Sequence, residues 1–265
     1  RTAVAIRRVQ DEDAEAAAEE GGAGGASPRE PPSMKNEAVD SMILAIAHCY
    51  HFRLDEDENI NEHTREKFRA EMEAPLAGSG LFRGSGRSPK THFWNVLKKN
   101  MQWFIDAMKP LPAGVADNAA LQENVFMMTV CILNKVAIMV VGKPGSSKTL
   151  ATQLIRDAFA RATKSDMFER VGFVSLELFP YQCSQHSTAH DIEVTFDKAI
   201  KLEENGDATT SACVVLDEVG LAETAKAMPL KVLHKLLEKP KVAFVGLSNW
   251  CAAAHVVCPL GFVQI

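Results

Sequence analysis

The octapeptide Gly142-Lys143-Pro144-Gly145-Ser146-Ser147-Lys148-Thr149 constrains this chain more than any other feature. It follows an apolar run, residues 136–141, that lacks polar alternation, as a parallel strand buried on both faces should. A helix is predicted from about 147 to 161. Strand, Gly/Ser-rich turn and helix form the context that a phosphate-binding loop requires. Small residues let backbone N–H groups close around phosphate oxygens, and the helix N-terminus adds a favourable dipole. On this reading Gly142 through Thr149, with Leu150 behind them, hold a nucleotide. Lys148 reaches the β and γ phosphates and Thr149 ligates Mg²⁺. Ser147 stands where the usual pattern has its second glycine, so a positive φ there would be strained.

The chain beyond the loop alternates between strand and helix. Strands are predicted at 171–178, 212–216 and 242–247. Helices are predicted at 191–204, with Gly206 as its stop, and from Pro229 to just before Pro240. This alternation points to an α/β fold with a parallel, doubly wound sheet. The strand Cys213-Val214-Val215-Leu216 ends in Asp217-Glu218. That is a Walker B arrangement, in which Asp217 assists Mg²⁺ and Glu218 orients and polarises the attacking water. Ser248-Asn249 ends the fourth strand, where the Asn249 amide can sense the γ phosphate. Glu218 and Asn249 are therefore the candidate catalytic residues.

Upstream the pattern changes. Residues 1–33 carry an acidic run, then Gly21-Gly22-Ala23-Gly24-Gly25 and three prolines, and read as a disordered tail. Residues 34–118 read as a helical extension. Val39, Met42, Ile43 and Ile46 mark one helix, and Phe93, Trp94, Leu97, Met101 and Phe104 mark another, whose aromatics are core rather than a base-stacking platform. Residues 55–68 suggest an exposed charged helix and 78–89 a loop. A helix at about 119–134 leads into the nucleotide-binding core, 119–250.

With 46% hydrophobic and 24% charged residues, the chain as a whole is not disordered. A net charge of -5 leaves no global basic field, so no nucleic-acid partner is expected. Residues 125–142 are apolar enough to suggest a membrane span, but Asn134-Lys135 would sit near its middle, and helix followed by strand is the better reading. Arg1 opens the chain without Met or an apolar leader segment, so no secretory signal is expected and a piece of a longer protein is. The six cysteines form no C-x-x-C pair and read as reduced, buried thiols of a cytosolic or nuclear protein, with a cytoplasmic setting expected. Cys183/His186/His190 and Cys251/His255/Cys258 have only weak zinc spacing; the first group reads as a loop between strand and helix.

Several strings together resemble the mysterin family of giant RING-finger AAA+ E3 ubiquitin ligases. They are Val141 through Lys148; Gln182-Cys183-Ser184 with His186-Ser187-Thr188; Val214 through Glu223; Met228-Pro229-Leu230-Lys231; and Gly246-Leu247-Ser248-Asn249-Trp250. Glu123-Asn124-Val125-Phe126-Met127-Met128 and Cys49-Tyr50-His51 are also similar to the stretch before one of its AAA+ modules. The likeness covers about 36–250, and serine at position 147 belongs to that family's pattern. It implies an AAA+ P-loop NTPase core that uses ATP and Mg²⁺, with neighbouring AAA+ modules as partners. Ubiquitin machinery is implied only through a full-length parent. From Cys251 the likeness fades, and 251–265 reads as an atypical end. The fifth strand, the lid with its second sensor, an arginine finger and the RING are expected to be missing. Two other readings remain open: a module that holds nucleotide without turnover, and a dynein- or midasin-like motor fragment.

Overall fold

The computed structural model describes residues 34–54, 64–78, 92–162, 175–206, 210–249 and 261–264. The tail at 1–33 and the Cys251/His255/Cys258 group lie outside them. Four helices come first: α1 Met34–Cys49, α2 Thr64–Gly78, α3 His92–Ala107 and α4 Ala119–Leu133, with a 3-10 turn at His51–Arg53. Then follow β1 Ile138–Val141, α5 Lys148–Ala162, β2 Ser175–Gln182, α6 Ala189–Asn205, β3 Thr210–Asp217, α7 Val219–Glu223, a 3-10 turn at Pro229–Lys231, α8 Val232–Glu238, β4 Ala243–Ser248 and β5 Gly261–Gln264.

The sheet is five-stranded, with spatial order β2-β3-β4-β1-β5. Every pairing is parallel. Period-two alternation divides its side chains between two cores. Ile138, Val140, Cys213, Val215, Ala243, Val245 and Leu247 pack with α1, α3, α4 and α5. Met139, Ala212, Val214, Leu216 and Phe244 pack with α6, α7 and α8. A sheet buried on both faces explains why its strands read as unbroken apolar runs. Gly246 lets β4 lie close to β1, since a Cβ there would overlap the Met139 sulfur.

Several expectations change. Of the exposed helix expected at 55–68, residues 55–63 lie outside the described residues, and the rest belong to α2, which begins at Thr64 and turns Arg65 inward to 2% exposure. The strand expected at 171–178 is described at Ser175–Gln182 and runs four residues further, while 171–174 lie outside the described residues. Its mixed burial obscured the boundary, because β2 is the edge strand beside β3. The helix predicted from Pro229 opens as a 3-10 turn behind Met228, whose φ is 43°. A fifth strand is present after all, with Gly261–Gln264 pairing in register with Ile138–Val141. The thiols of Cys131, Cys183 and Cys213 are buried, whereas Cys49 is exposed. No helix among the described residues is long and apolar enough to cross a membrane.

Candidate functional site

Sheet order brings the three motifs together. β4 lies between β1 and β3, so the carboxyl ends of all three strands open on one edge. Val141 is level with Ser248, and Leu216 with Gly246. The Gly142 N–H donates to the Ser248 carbonyl at 3.1 Å, which ties the start of the loop to the end of β4. In open α/β sheets, ligands bind outside the carboxyl ends of the strands.

The loop is built on two left-handed residues. Gly145 has φ 85° and Ser147 has φ 62°. Glycine adopts the first without penalty. Serine pays roughly 1–2 kcal/mol for the second. Ser147 is held there because α5 starts at this point: its carbonyl accepts from the Ala151 N–H at 2.9 Å. The first-turn N–H groups of α5 have no carbonyl four residues earlier in the helix.

Lys148 is 7% exposed and turned into the loop. Its Nζ donates to the Gly142 carbonyl at 2.6 Å, the Lys143 carbonyl at 3.0 Å and Ser146 Oγ at 3.2 Å. Burial pushes its pKa down, while the nearby carboxylates of Glu218 and Asp217 pull it back up. Pro144, Gly145 and Thr149 are exposed, and Leu150 is half-buried and packs against the helical core.

Asp217 Oδ1 accepts from the Glu218 N–H at 2.8 Å, and the Asp217 carbonyl accepts from the Cys183 N–H at 2.8 Å. Glu218 itself is left-handed, with φ 54°, which swings its side chain out of the strand direction at the head of α7. Asn249 Nδ2 donates to Glu218 Oε1 and Oε2, both at 2.9 Å. Thus Lys148, Asp217, Glu218 and Asn249 do converge. The Asn249 amide lies on the Glu218 carboxylate, a contact that the motifs did not foretell.

Cys183 is buried, its thiol pushed up to about 12 mainly by desolvation, while His186 and His190 are exposed. Among the described residues no three His, Cys, Asp or Glu side chains cluster as metal ligands. The 183–188 stretch is the turn between β2 and α6, closed by a capping box in which Thr188 and Asp191 serve each other's backbone.

Sequence reasoning missed a second tier. Asn124 of α4 donates from Nδ2 to the Ser146 carbonyl at 2.7 Å. Its neighbour Glu123 accepts from Arg65 Nη1 at 2.9 Å. Consecutive polar residues at 123 and 124, followed by the apolar run Val125-Phe126-Met127-Met128, were the available signal.

A family model described as the RNF213 AAA domain matches residues 114–255, which takes in the loop, the Asp217-Glu218 pair and Asn249. The chain belongs to the RNF213 AAA domain family. Among relatives, it is similar to the E3 ubiquitin-protein ligase RNF213 of Homo sapiens, at 39% identity over 222 residues. That alignment covers 79% of this chain and 4% of the human protein. It is also similar to the E3 ubiquitin-protein ligase rnf213-beta of Danio rerio, at 45% identity over 150 residues, covering 51% of this chain and 3% of that protein. The chain therefore spans only a small fraction of the relatives it matches. Among solved structures, C. elegans PCH-2 aligns at 16% identity with a TM-score of 0.35, covering 64% of this chain and 42% of that chain. The match to the RNF213 AAA domain model makes the parallel α/β core an AAA+ module of the mysterin (RNF213) type.

Proposed function

We propose that this AAA+ module binds ATP with Mg²⁺ and hydrolyses the β–γ bond. The observation that carries the reading is the convergence, at one sheet edge, of a buried lysine, an Asp-Glu pair and an amide on the glutamate. The residues suit the metal as well. A hydroxyl from Thr149 and a carboxylate from Asp217 are hard oxygen donors, and Mg²⁺ is commonly held by one or two such groups plus phosphates and water. When bound, the ion would neutralise charge on the β and γ phosphate oxygens.

The chain's own groups perform the rest. Gly142 through Thr149 wrap the phosphates, and Lys148 exchanges its loop carbonyls for phosphate oxygens. Glu218 takes up the proton of the attacking water, and Asn249 holds the glutamate in position. The whole relative's ligase activity, its ubiquitin partners and contacts with adjacent AAA+ modules are carried to this chain only as proposals. So is a cytoplasmic setting, which the buried free thiols favour.

Steady-state phosphate release by wild type and Glu218→Gln tests the reading. The variant keeps the shape and is expected to bind ATP while losing about 10²-fold or more in turnover. Equal rates would remove Glu218 from the mechanism and favour a nucleotide held without hydrolysis.

A further inference from the structure

Asn124 is fully buried in α4, yet only one end of its amide is satisfied. Nδ2 donates to the Ser146 carbonyl at 2.7 Å, while Oδ1 has no hydrogen-bond partner. A carbonyl can only accept, so Nδ2 must face the loop and the oxygen must face the core. Leaving a buried amide oxygen unpaired is unfavourable, and leucine would fill a similar volume without that cost. The compensating feature is the bond to the phosphate loop, at the residue just before left-handed Ser147.

The neighbouring side chain points to the helical extension. Glu123 pairs with Arg65 of α2, which is 2% exposed. Arg65 Nε also donates to the Leu54 carbonyl at 2.9 Å, beyond the 3-10 turn that carries buried Phe52. Two consecutive residues of α4 thus join α2 on one side and the loop on the other.

We propose that Asn124 is a positioning residue for the nucleotide site, and that the docked helical extension sets nucleotide affinity through the Arg65–Glu123–Asn124–Ser146 chain. The inference rests on the nucleotide reading above and assigns a regulator to that same loop. Losing α2 docking takes Arg65 from Glu123, lets α4 shift, and withdraws the donor that fixes the Ser146 carbonyl.

The test is calorimetric titration of Mg–ATP into the full chain, below its melting range. Six proteins are compared: wild type, Asn124→Leu, Arg65→Met, the double variant, Val125→Ala and Lys148→Ala. Val125 lies on the same helix, is fully buried and touches no loop hydrogen bond, so its truncation reports stability alone. Asn124→Leu removes the unpaired oxygen and is expected to stay folded, with affinity about tenfold weaker. Arg65→Met is expected to weaken binding in the wild-type background but to add little on top of Asn124→Leu, the non-additivity of a shared path. Val125→Ala is expected to lower Tm with Kd within about twofold of wild type. Unchanged affinity in Asn124→Leu, with Lys148→Ala still losing binding, overturns the inference and spares the site. Binding unchanged in Lys148→Ala as well overturns both. A loss in Val125→Ala that matches Asn124→Leu overturns it too, since the effect would then be global stability.

Discussion

Asn249 Nδ2 donates to both carboxylate oxygens of Glu218, at 2.9 Å each. The two residues come from the ends of β4 and β3, which are direct neighbours in the sheet. A carboxylate held on both oxygens is oriented, and a strained backbone at φ 54° aims it away from the strand. Asn249→Ala is therefore expected to leave ATP affinity within about threefold and to lower turnover about tenfold or more, a share of the general-base contribution. Phosphate release under saturating ATP measures it. Unchanged turnover would mean that Glu218 needs no such support.

The Arg65–Glu123 pair is buried at both ends, with side chains 2% and 11% exposed. Removing one member of such a pair is strongly destabilising, on the order of 3–5 kcal/mol, because the other charge stays buried. Arg65→Met should show that loss in denaturant unfolding, and Arg65→Met with Glu123→Met should recover much of it. A single variant as stable as wild type would contradict the assignment.

His51 is fully buried, its ring nitrogens unpartnered, among the rings of Phe52, Phe68, Phe93 and Trp94. Desolvation, then the charges of Arg65 and Arg69, lowers its pKa from 6.5 to about 3. The folded state thus binds fewer protons than the unfolded one. Its contribution is complete above pH 6.5 and is withdrawn as pH falls towards 3, at no more than about 1.4 kcal/mol per pH unit. His48, also lowered by burial, acts in the same direction. Tm of His51→Phe should fall less steeply than wild type between pH 6.5 and 4. Parallel curves would show that His51 is not the group being charged.

Thr188 and Asp191 close the head of α6 with a reciprocal pair of bonds. The Thr188 hydroxyl and N–H hold the Asp191 carboxyl below its ordinary range. Thr188→Ala removes an N-cap and should lower Tm by about 2–4 °C, a shift readable by scanning calorimetry. No shift would mean that α6 is anchored by Ile192 and Phe196 packing alone.

Much of this was legible in local chemistry. The loop, the Asp217-Glu218 strand end and Asn249 stand at positions where strand, turn and helix periodicities change, so sequence spacing alone placed them. Buried strands declared themselves by losing alternation. What escaped depended on long-range partners. Arg65 looked like one more exposed charge, because nothing local reveals that Glu123 waits 58 residues away. Asn124 read as part of a resemblance rather than as a contact to the loop. The edge strand β2 alternates imperfectly, so its end was placed at 178, four residues short of Gln182. β5 follows a stretch without familiar motifs, and only its register with β1 identifies it.

Binding at the 142–149 loop is the claim on which the rest depends. Calorimetric titration of Mg–ATP into wild type and Lys148→Ala tests it most directly. Lys148 is the buried cation of the loop, and a charge-assisted hydrogen bond contributes roughly 1.5–3 kcal/mol. Wild type is expected to bind ATP at one site, and Lys148→Ala, still folded, to bind it at least about tenfold more weakly. Equal affinity in the two proteins would contradict the assignment of this loop as the nucleotide site.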